Sequence, residues 1–116
     1  MRHQKRKVTL DRKTGPRRAL LTGLAESLIL YEKMKTTKAK AKAARSLVER
    51  MITRAKTDDL NSRRWLLKRL HTKNAVNKLL EKLGPRYLER KGGYTRTTVL
   101  KNRVGDGSEE VLIELV

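Results

Sequence analysis

Cysteine and phenylalanine are both missing from this chain, and its aromatic side chains amount to three tyrosines and one tryptophan. Without cysteine there are no disulfides and no thiolate metal ligands, which fits a reducing compartment. With so few rings the core must be built mainly from Leu, Ala and Val, and 116 residues suffice for one modest core but not for two. No apolar run approaches the roughly 18 to 20 residues that span a bilayer. The richest, Leu20 to Tyr31, is interrupted by Thr22, Glu26 and Ser27. No secretory signal is expected, because the basic start leads into Val8, Thr9 and Leu10 and then into more charge. That Arg-rich, acid-poor start shares one trait with organelle transit peptides but lacks their Ser-rich amphipathic pattern. Acidic groups are scarce as well: twelve stand against thirty Lys and Arg, a net charge of +18. A surface of this kind repels itself until a polyanion neutralises it, which points first to nucleic acid and second to an anionic membrane.

Residues suited to catalysis are as thin on the ground. The two histidines, His3 and His71, have no Cys, His or carboxylate companion at metal-ligand spacing. Asp58 and Asp59 are adjacent, a placement that helix capping explains better than proton transfer between a pair of acids. Ser27, Ser46, Ser62 and Ser108 have no nucleophile setting, and Gly92-Gly93 precedes a strand where a phosphate loop would open a helix. Neither an enzyme, a metal, a cofactor nor a small-molecule substrate is expected.

What is present is a chain of alternating apolar periods and basic clusters. Residues 1–18 hold eight basic side chains against Asp11 alone and almost nothing to bury, so residues 1–13 are expected to form an extended tail that orders on a partner. Residues 14–116 are expected to form a single α+β domain. Thr14 or Gly15 as cap and Pro16 in the first turn announce a helix whose apolar stripe is Leu20, Leu24, Leu28 and Tyr31, widened by Leu21, Ala25 and Ile29. The period then changes: Met34 to Thr36 alternates like a short strand, and Thr36 or Thr37 can cap the next helix. In that helix Ala44, Leu47, Val48, Met51, Ile52 and Ala55 recur at helical spacing, so its later half reads as the central packing element. Lys38, Lys40 and Lys42 crowd its start, next to the positive end of the helix dipole, where an approaching anion would relieve them.

A third helix is expected after the Asp58-Asp59 cap, through Trp65 and Leu70. After a break near His71 to Asn74 a fourth follows, with Val76, Leu79, Leu80 and Leu83, and Gly84-Pro85 is expected to stop it. Arg86 to Gly93 reads as a basic loop, Tyr94 to Lys101 and Glu109 to Val116 as strands joined by a turn at Gly105 to Ser108. The last strand region carries Asp106, Glu109, Glu110 and Glu114 with no base, and can pair with the basic strand before it. The fold class is therefore α+β, with about four helices packed on a small sheet of about three strands and a basic extended N-terminal tail.

Three places concentrate groups suited to phosphate. The tail offers Arg2, His3, Lys5, Arg6, Lys7, Arg12 and Lys13, with Arg17 and Arg18 just after it. The start of the second helix offers Lys35, Thr36, Thr37, Lys38, Lys40 and Lys42. The run Gly84 to Arg96 offers Arg86, Tyr87, Arg90, Lys91, Gly92, Gly93, Tyr94 and Arg96. Arginines give bidentate contacts, glycines let the backbone approach a phosphate, and a tyrosine can stack on an unpaired base. A second reading uses the helix corner at residues 60–83 as a sequence-specific DNA-binding unit.

Several runs carry a resemblance to a known family: Met1-Arg2-His3, Leu24-Ala25 with Ser27-Leu28-Ile29, Thr36-Thr37 followed by Lys40-Ala41-Lys42, and Ile52-Thr53 with Ala55-Lys56. Further along come Asp59-Leu60, Arg63-Arg64, Gly84-Pro85-Arg86-Tyr87, Gly92-Gly93-Tyr94-Thr95-Arg96, Gly105-Asp106 and the closing Ile113-Glu114-Leu115-Val116. From end to end the chain resembles the L-seventeen family of the bacterial large ribosomal subunit. It departs from the family's pattern at Ala43-Ala44, where an acid is usual, and at Asn102-Arg103-Val104, where a more basic stretch is. The resemblance implies a structural protein bound to large-subunit ribosomal RNA, near the polypeptide exit region among neighbouring ribosomal proteins. It implies a cytoplasmic ribosome ahead of an organelle one.

Overall fold

Helix α2 (Lys38–Ala55) is the element on which the others pack. Its Ala41, Ala44, Val48, Met51, Ile52 and Ala55 fall on one side and are all buried, while Lys42, Arg45, Arg50 and Arg54 face out. The computed structural model describes residues 9–116, so the expected tail contacts Arg2, His3, Lys5, Arg6 and Lys7 lie outside the described residues.

Helix α1 (Thr14–Tyr31) lies against α2 and buries Ala25, Leu28 and Ile29. Pro16 sits in its first turn, where the missing N–H costs nothing, but the cap differs from expectation: Lys13 occupies that position and no side chain closes it. Tyr31 was expected on the apolar stripe and is instead 75% exposed. The reason is local, because α1 ends at once in Glu32, whose left-handed backbone (φ 64°) turns the chain into strand β1 (Lys33–Thr37).

Asp59 caps α3 (Leu60–Arg69) as expected, its carboxylate accepting the Ser62 N–H at 2.8 Å. That interaction, first of all the backbone hydrogen bond from Ser62, holds the Asp59 carboxyl below the usual range. The break before α4 (Lys73–Lys78) is closed by Glu26 of α1, which accepts the N–H groups of His71 and Thr72 at 2.5 and 3.2 Å.

Gly84 and Pro85 do not stop the fourth helix. It continues through a π-helical turn (Leu79–Leu83) into a final turn, α5 (Gly84–Arg86). The Gly84 N–H reaches back five residues to the Leu79 carbonyl. Widening the helix here accommodates Pro85, which has no N–H for an ordinary helical bond. Gly84 serves packing instead of termination: a Cβ placed on it would lie 2.5 Å from the Ala55 carbonyl oxygen of α2. Only glycine lets these two backbones meet.

Strands β2 (Thr95–Asn102) and β3 (Glu109–Leu115) complete a three-stranded antiparallel sheet in the order β1-β3-β2. Val111 and Ile113 of β3 face the helices and are fully buried. The alternate residues Glu110, Leu112 and Glu114 belong to the other face. β2 overhangs the helices, which leaves Val99 64% exposed opposite the buried Val111. Four helical rods on a small antiparallel sheet make an α+β fold, as the periodicity predicts.

Candidate nucleic-acid interface

Position in the sheet decides which lysines around β1 remain free. Central β3 carries the acids and both edges carry bases, so part of the charge is cancelled across strands. Lys35 lies 3.3 Å from Glu110, an ion-pair contact that is not aligned as a hydrogen bond, Lys38 lies 3.5 Å from Glu109, and Arg96 donates to Glu114 at 3.2 Å. The expected pairing of the acidic end with a basic strand therefore occurs on both sides of β3. Lys33, Lys40 and Lys42 have no carboxylate partner among the described residues. The first turn of α2 holds no acid, and Thr37 occupies its cap position without closing it by a side-chain hydrogen bond. Lys40 and Lys42 thus crowd a helix end that already carries partial positive charge, an arrangement that costs helix stability unless an anion arrives. Thr36 and Thr37 lie half-buried at this bend.

Arg12, Lys13 and Arg18 are exposed beside the start of α1, and Arg17 is half-buried there. Arg12 donates to the Leu10 carbonyl at 2.7 Å, folding the chain back just before the helix.

The Gly84 to Arg96 run behaves differently from its expected role. Arg86 is spent on Glu32, which Lys78 also contacts at 3.2 Å, while Lys78 donates to the Leu30 carbonyl at 2.9 Å. The Arg86 hydrogen bond, aided by Lys78, pulls the Glu32 carboxyl down to about 2. Tyr87 and Tyr94 are 3% and 1% exposed, with ring centroids 5.2 Å apart, so neither presents a face for a base to stack on. Both belong to the core because their polar ends find partners inside it. The Tyr87 hydroxyl donates to the Val116 carbonyl at 2.6 Å. The Tyr94 hydroxyl donates to the Arg90 carbonyl at 3.3 Å and accepts from Thr53 at 3.2 Å, and its backbone N–H donates to Glu49 at 3.1 Å. What the run leaves outside is Arg90, Lys91 and the backbone at Gly92 and Gly93. Both glycines have left-handed φ (108° and 62°) with open space where a side chain would be.

The surface also holds basic groups that the three sequence clusters leave out. Lys68, Arg69 and His71 line a cleft between α1 and the end of α3, joined there by Arg18 of the first cluster. Arg50 and Arg54 line a groove between α2 and α3 together with Trp65, on whose ring the Arg69 guanidinium sits 3.8 Å from the centroid. The four-residue spacings Arg50/Arg54 and Trp65/Arg69 are the signals that could have flagged them, since such pairs share a helix face.

Comparison with known proteins supplies the family. A family model described as ribosomal protein L17 matches residues 20–116. The large ribosomal subunit protein bL17 of Solibacter usitatus (strain Ellin6076) is 51% identical over 116 residues, a span covering all of this chain and 77% of that relative. The bL17 of Hydrogenobaculum sp. (strain Y04AAS1) is 49% identical over 117 residues, covering all of this chain and 99% of the relative. That of Syntrophotalea carbinolica (strain DSM 2380 / NBRC 103641 / GraBd1) is 45% identical, covering all of this chain and 75% of the relative. With about half of its residues shared along its full length and a family match that takes in the whole helix-and-sheet core, the chain belongs to the ribosomal protein L17 family.

Proposed function

We propose that the chain is a structural constituent of the large ribosomal subunit, in the cytoplasmic ribosome, that binds and stabilises folded ribosomal RNA near the polypeptide exit region and touches neighbouring ribosomal proteins there. The observation that carries the RNA-binding part is the cluster of lysines at the β1–α2 bend that the protein itself does not neutralise. Lys40 and Lys42 stand at a helix start with no acid in its first turn, and Lys33 stands at the other end of β1. Phosphate oxygens supply the missing charge, and contacts of this kind fix the protein on an RNA shape without reading its sequence. Residues 1–13 act as a second contact, an arm that orders along the RNA, with Arg17 and Arg18 at its base. Arg90, Lys91 and the open backbone of Gly92 and Gly93 form a third, with the basic ends of β1 and α2 completing the surface. Arg86, Arg96, Tyr87 and Tyr94 are left to the fold.

The DNA-regulator reading has less support. The second helix of its corner turns Ala75, Val76, Leu79, Leu80 and Leu83 into the core, and membership of a ribosomal-protein family argues against both it and an enzyme. The deciding experiment is sedimentation of the tagged full chain on a gradient with high-salt washes. Travel with the large subunit is expected, and a protein that stays at the top of the gradient would sink the reading. In binding to deproteinised large-subunit ribosomal RNA, affinity should fall by roughly 0.7 to 0.9 log units per log unit of salt for each phosphate neutralised. Deleting residues 1–13 should flatten that slope while the helical circular dichroism is retained, and an unchanged slope would remove the arm from the interface.

A further inference from the structure

The groove between the second half of α2 and the start of α3 encloses about 720 Å³, within the roughly 300 to 1,000 Å³ of typical ligand pockets. Of the RNA contacts proposed above only Gly92 borders it, at one end. Its acids are already engaged: Glu49 accepts the Tyr94 N–H and pairs with Arg45 at 3.6 Å, and Asp59 caps α3. Its cations are not. Arg50 and Arg54, one helical turn apart on the exposed side of α2, have no carboxylate partner among the described residues. With the two carboxylates engaged elsewhere, these two guanidinium groups are the ones left to hold an anion.

Half-buried Trp65 gives the groove an aromatic wall. Arg69 holds that ring in place, with its guanidinium 3.8 Å from the centroid while it donates to the Trp65 carbonyl at 3.2 Å. Arg54 is only loosely apposed, at 5.6 Å, and as an exposed side chain it can move aside when a flat group enters. A fixed indole ringed by guanidinium groups suits the face of a nucleobase, and two free arginines beside it suit the phosphate attached to that base. An acidic peptide would satisfy the arginines but leave the indole unused.

We propose that this groove holds one unpaired nucleotide of an RNA strand, its base stacked on Trp65 and its phosphate paired with Arg50 and Arg54. The proposal rests on the RNA-binding function and adds to it a single-nucleotide site on the opposite half of α2 from the lysine cluster. It converts a surface that only neutralises charge into one that also registers where a strand is unpaired.

Trp65 is the chain's one tryptophan, so its emission reports on this groove alone. The full chain is titrated at low salt with deproteinised large-subunit ribosomal RNA, with a single-stranded hexanucleotide and with adenosine monophosphate, while binding is followed independently by filter retention. Expected is quenching that saturates in step with retention for both RNAs. Because stacking contributes to binding of single strands, Arg50→Gln combined with Arg54→Gln should weaken hexanucleotide binding about tenfold and abolish most of the quenching. The free double variant should keep the thermal midpoint of the parent, since both side chains are exposed, and its quenching is read against its own free emission because Arg54 faces the Trp65 ring. Lys40→Gln combined with Lys42→Gln should lower retention and leave maximal quenching unchanged. Retention of RNA without quenching overturns the groove site and leaves the RNA-binding function standing. Quenching that survives the arginine changes overturns it too, as does quenching by the mononucleotide at the same concentrations as by the hexanucleotide, which would make the ligand a free nucleotide. Absence of any retention overturns the RNA-binding function and this site with it.

Discussion

Lys33 to Lys42 and Arg86 to Arg96 are two short basic stretches, with five lysines in the first and three arginines and a lysine in the second. The second is sewn into the molecule. Arg86 is taken by Glu32, Arg96 by Glu114, and the tyrosines between them fill the core. The first stays on the surface: apart from Ala41 none of its side chains is buried, and β3 neutralises only Lys35 and Lys38. The difference lies in the acids within reach. Glu32 stands at the turn leaving α1, surrounded by α4 and α5, so cations arriving there become part of the packing. At the start of α2 the only nearby acids belong to the sheet, and they run out before Lys40 and Lys42. Basic composition alone does not separate a clamp on the protein from a clamp on RNA.

The strongest way to break this contrast is Tyr94→Ala. Removing a ring that is 1% exposed and tied to Thr53, Arg90 and Glu49 should cost about 3 to 5 kcal/mol in urea unfolding. A cost below about 1 kcal/mol would mean that the Arg86 to Arg96 run is a surface loop after all. Next comes Gly84→Ala. Its Cβ would press on the Ala55 carbonyl at 2.5 Å, backbone against backbone, so neither side yields easily and about 1 to 3 kcal/mol should be lost. An unchanged midpoint would show that α2 and the fourth helix have slack between them.

These two positions also mark how far the sequence could be read. The three strands, the cap at Asp59 and the apolar face of α2 follow from periodicity and turn chemistry, and the structure has them within a residue or two, whereas Thr37 holds the cap position of α2 without making the capping hydrogen bond. Gly84-Pro85 is different, because a helix stop and a close helix crossing ask for the same residue. Only the position of Ala55, twenty-nine residues earlier in the chain, separates them. Tyr87 and Tyr94 are ambiguous in the same way. A tyrosine among arginines reads as a stacking platform until the Val116 carbonyl and Thr53 are seen to hold its hydroxyl. The cations at Arg50 and Arg54 were visible in the sequence, but the groove they line exists only once α3 lies beside α2.

Acid should distinguish the two stretches more gently. The Glu32 carboxyl ionises at about 2 instead of 4.5, chiefly through its hydrogen bond from Arg86. A depressed carboxylate contributes stability that is complete above the unfolded value and is lost as pH falls through the folded one. The loss therefore belongs to the interval from about 4.5 down to about 2. With the Glu32 side chain 38% exposed, water screens much of the interaction, and about 1 kcal/mol is expected. Glu32→Gln should flatten the stability profile across that interval relative to the parent. An identical profile in the two proteins would show that the Arg86 clamp holds no stability.

The smallest effect on folding is expected where the effect on binding should be plain. Lys40→Ala combined with Lys42→Ala removes two cations from the start of α2, next to a dipole end that disfavours them, and replaces them with the best helix former. Stability should stay within about 0.5 kcal/mol of the parent or rise slightly. If each lysine meets one phosphate, the slope of log affinity against log salt on ribosomal RNA should fall by roughly 1.4 to 1.8. The same pair of measurements on Arg86→Ala should give the reverse pattern, a loss of stability with the slope nearly unchanged. Should the lysine variant keep the full slope, the unpaired charge at the β1–α2 bend would face solvent, and the RNA contact would have to be sought among residues 1–18 and around Lys91.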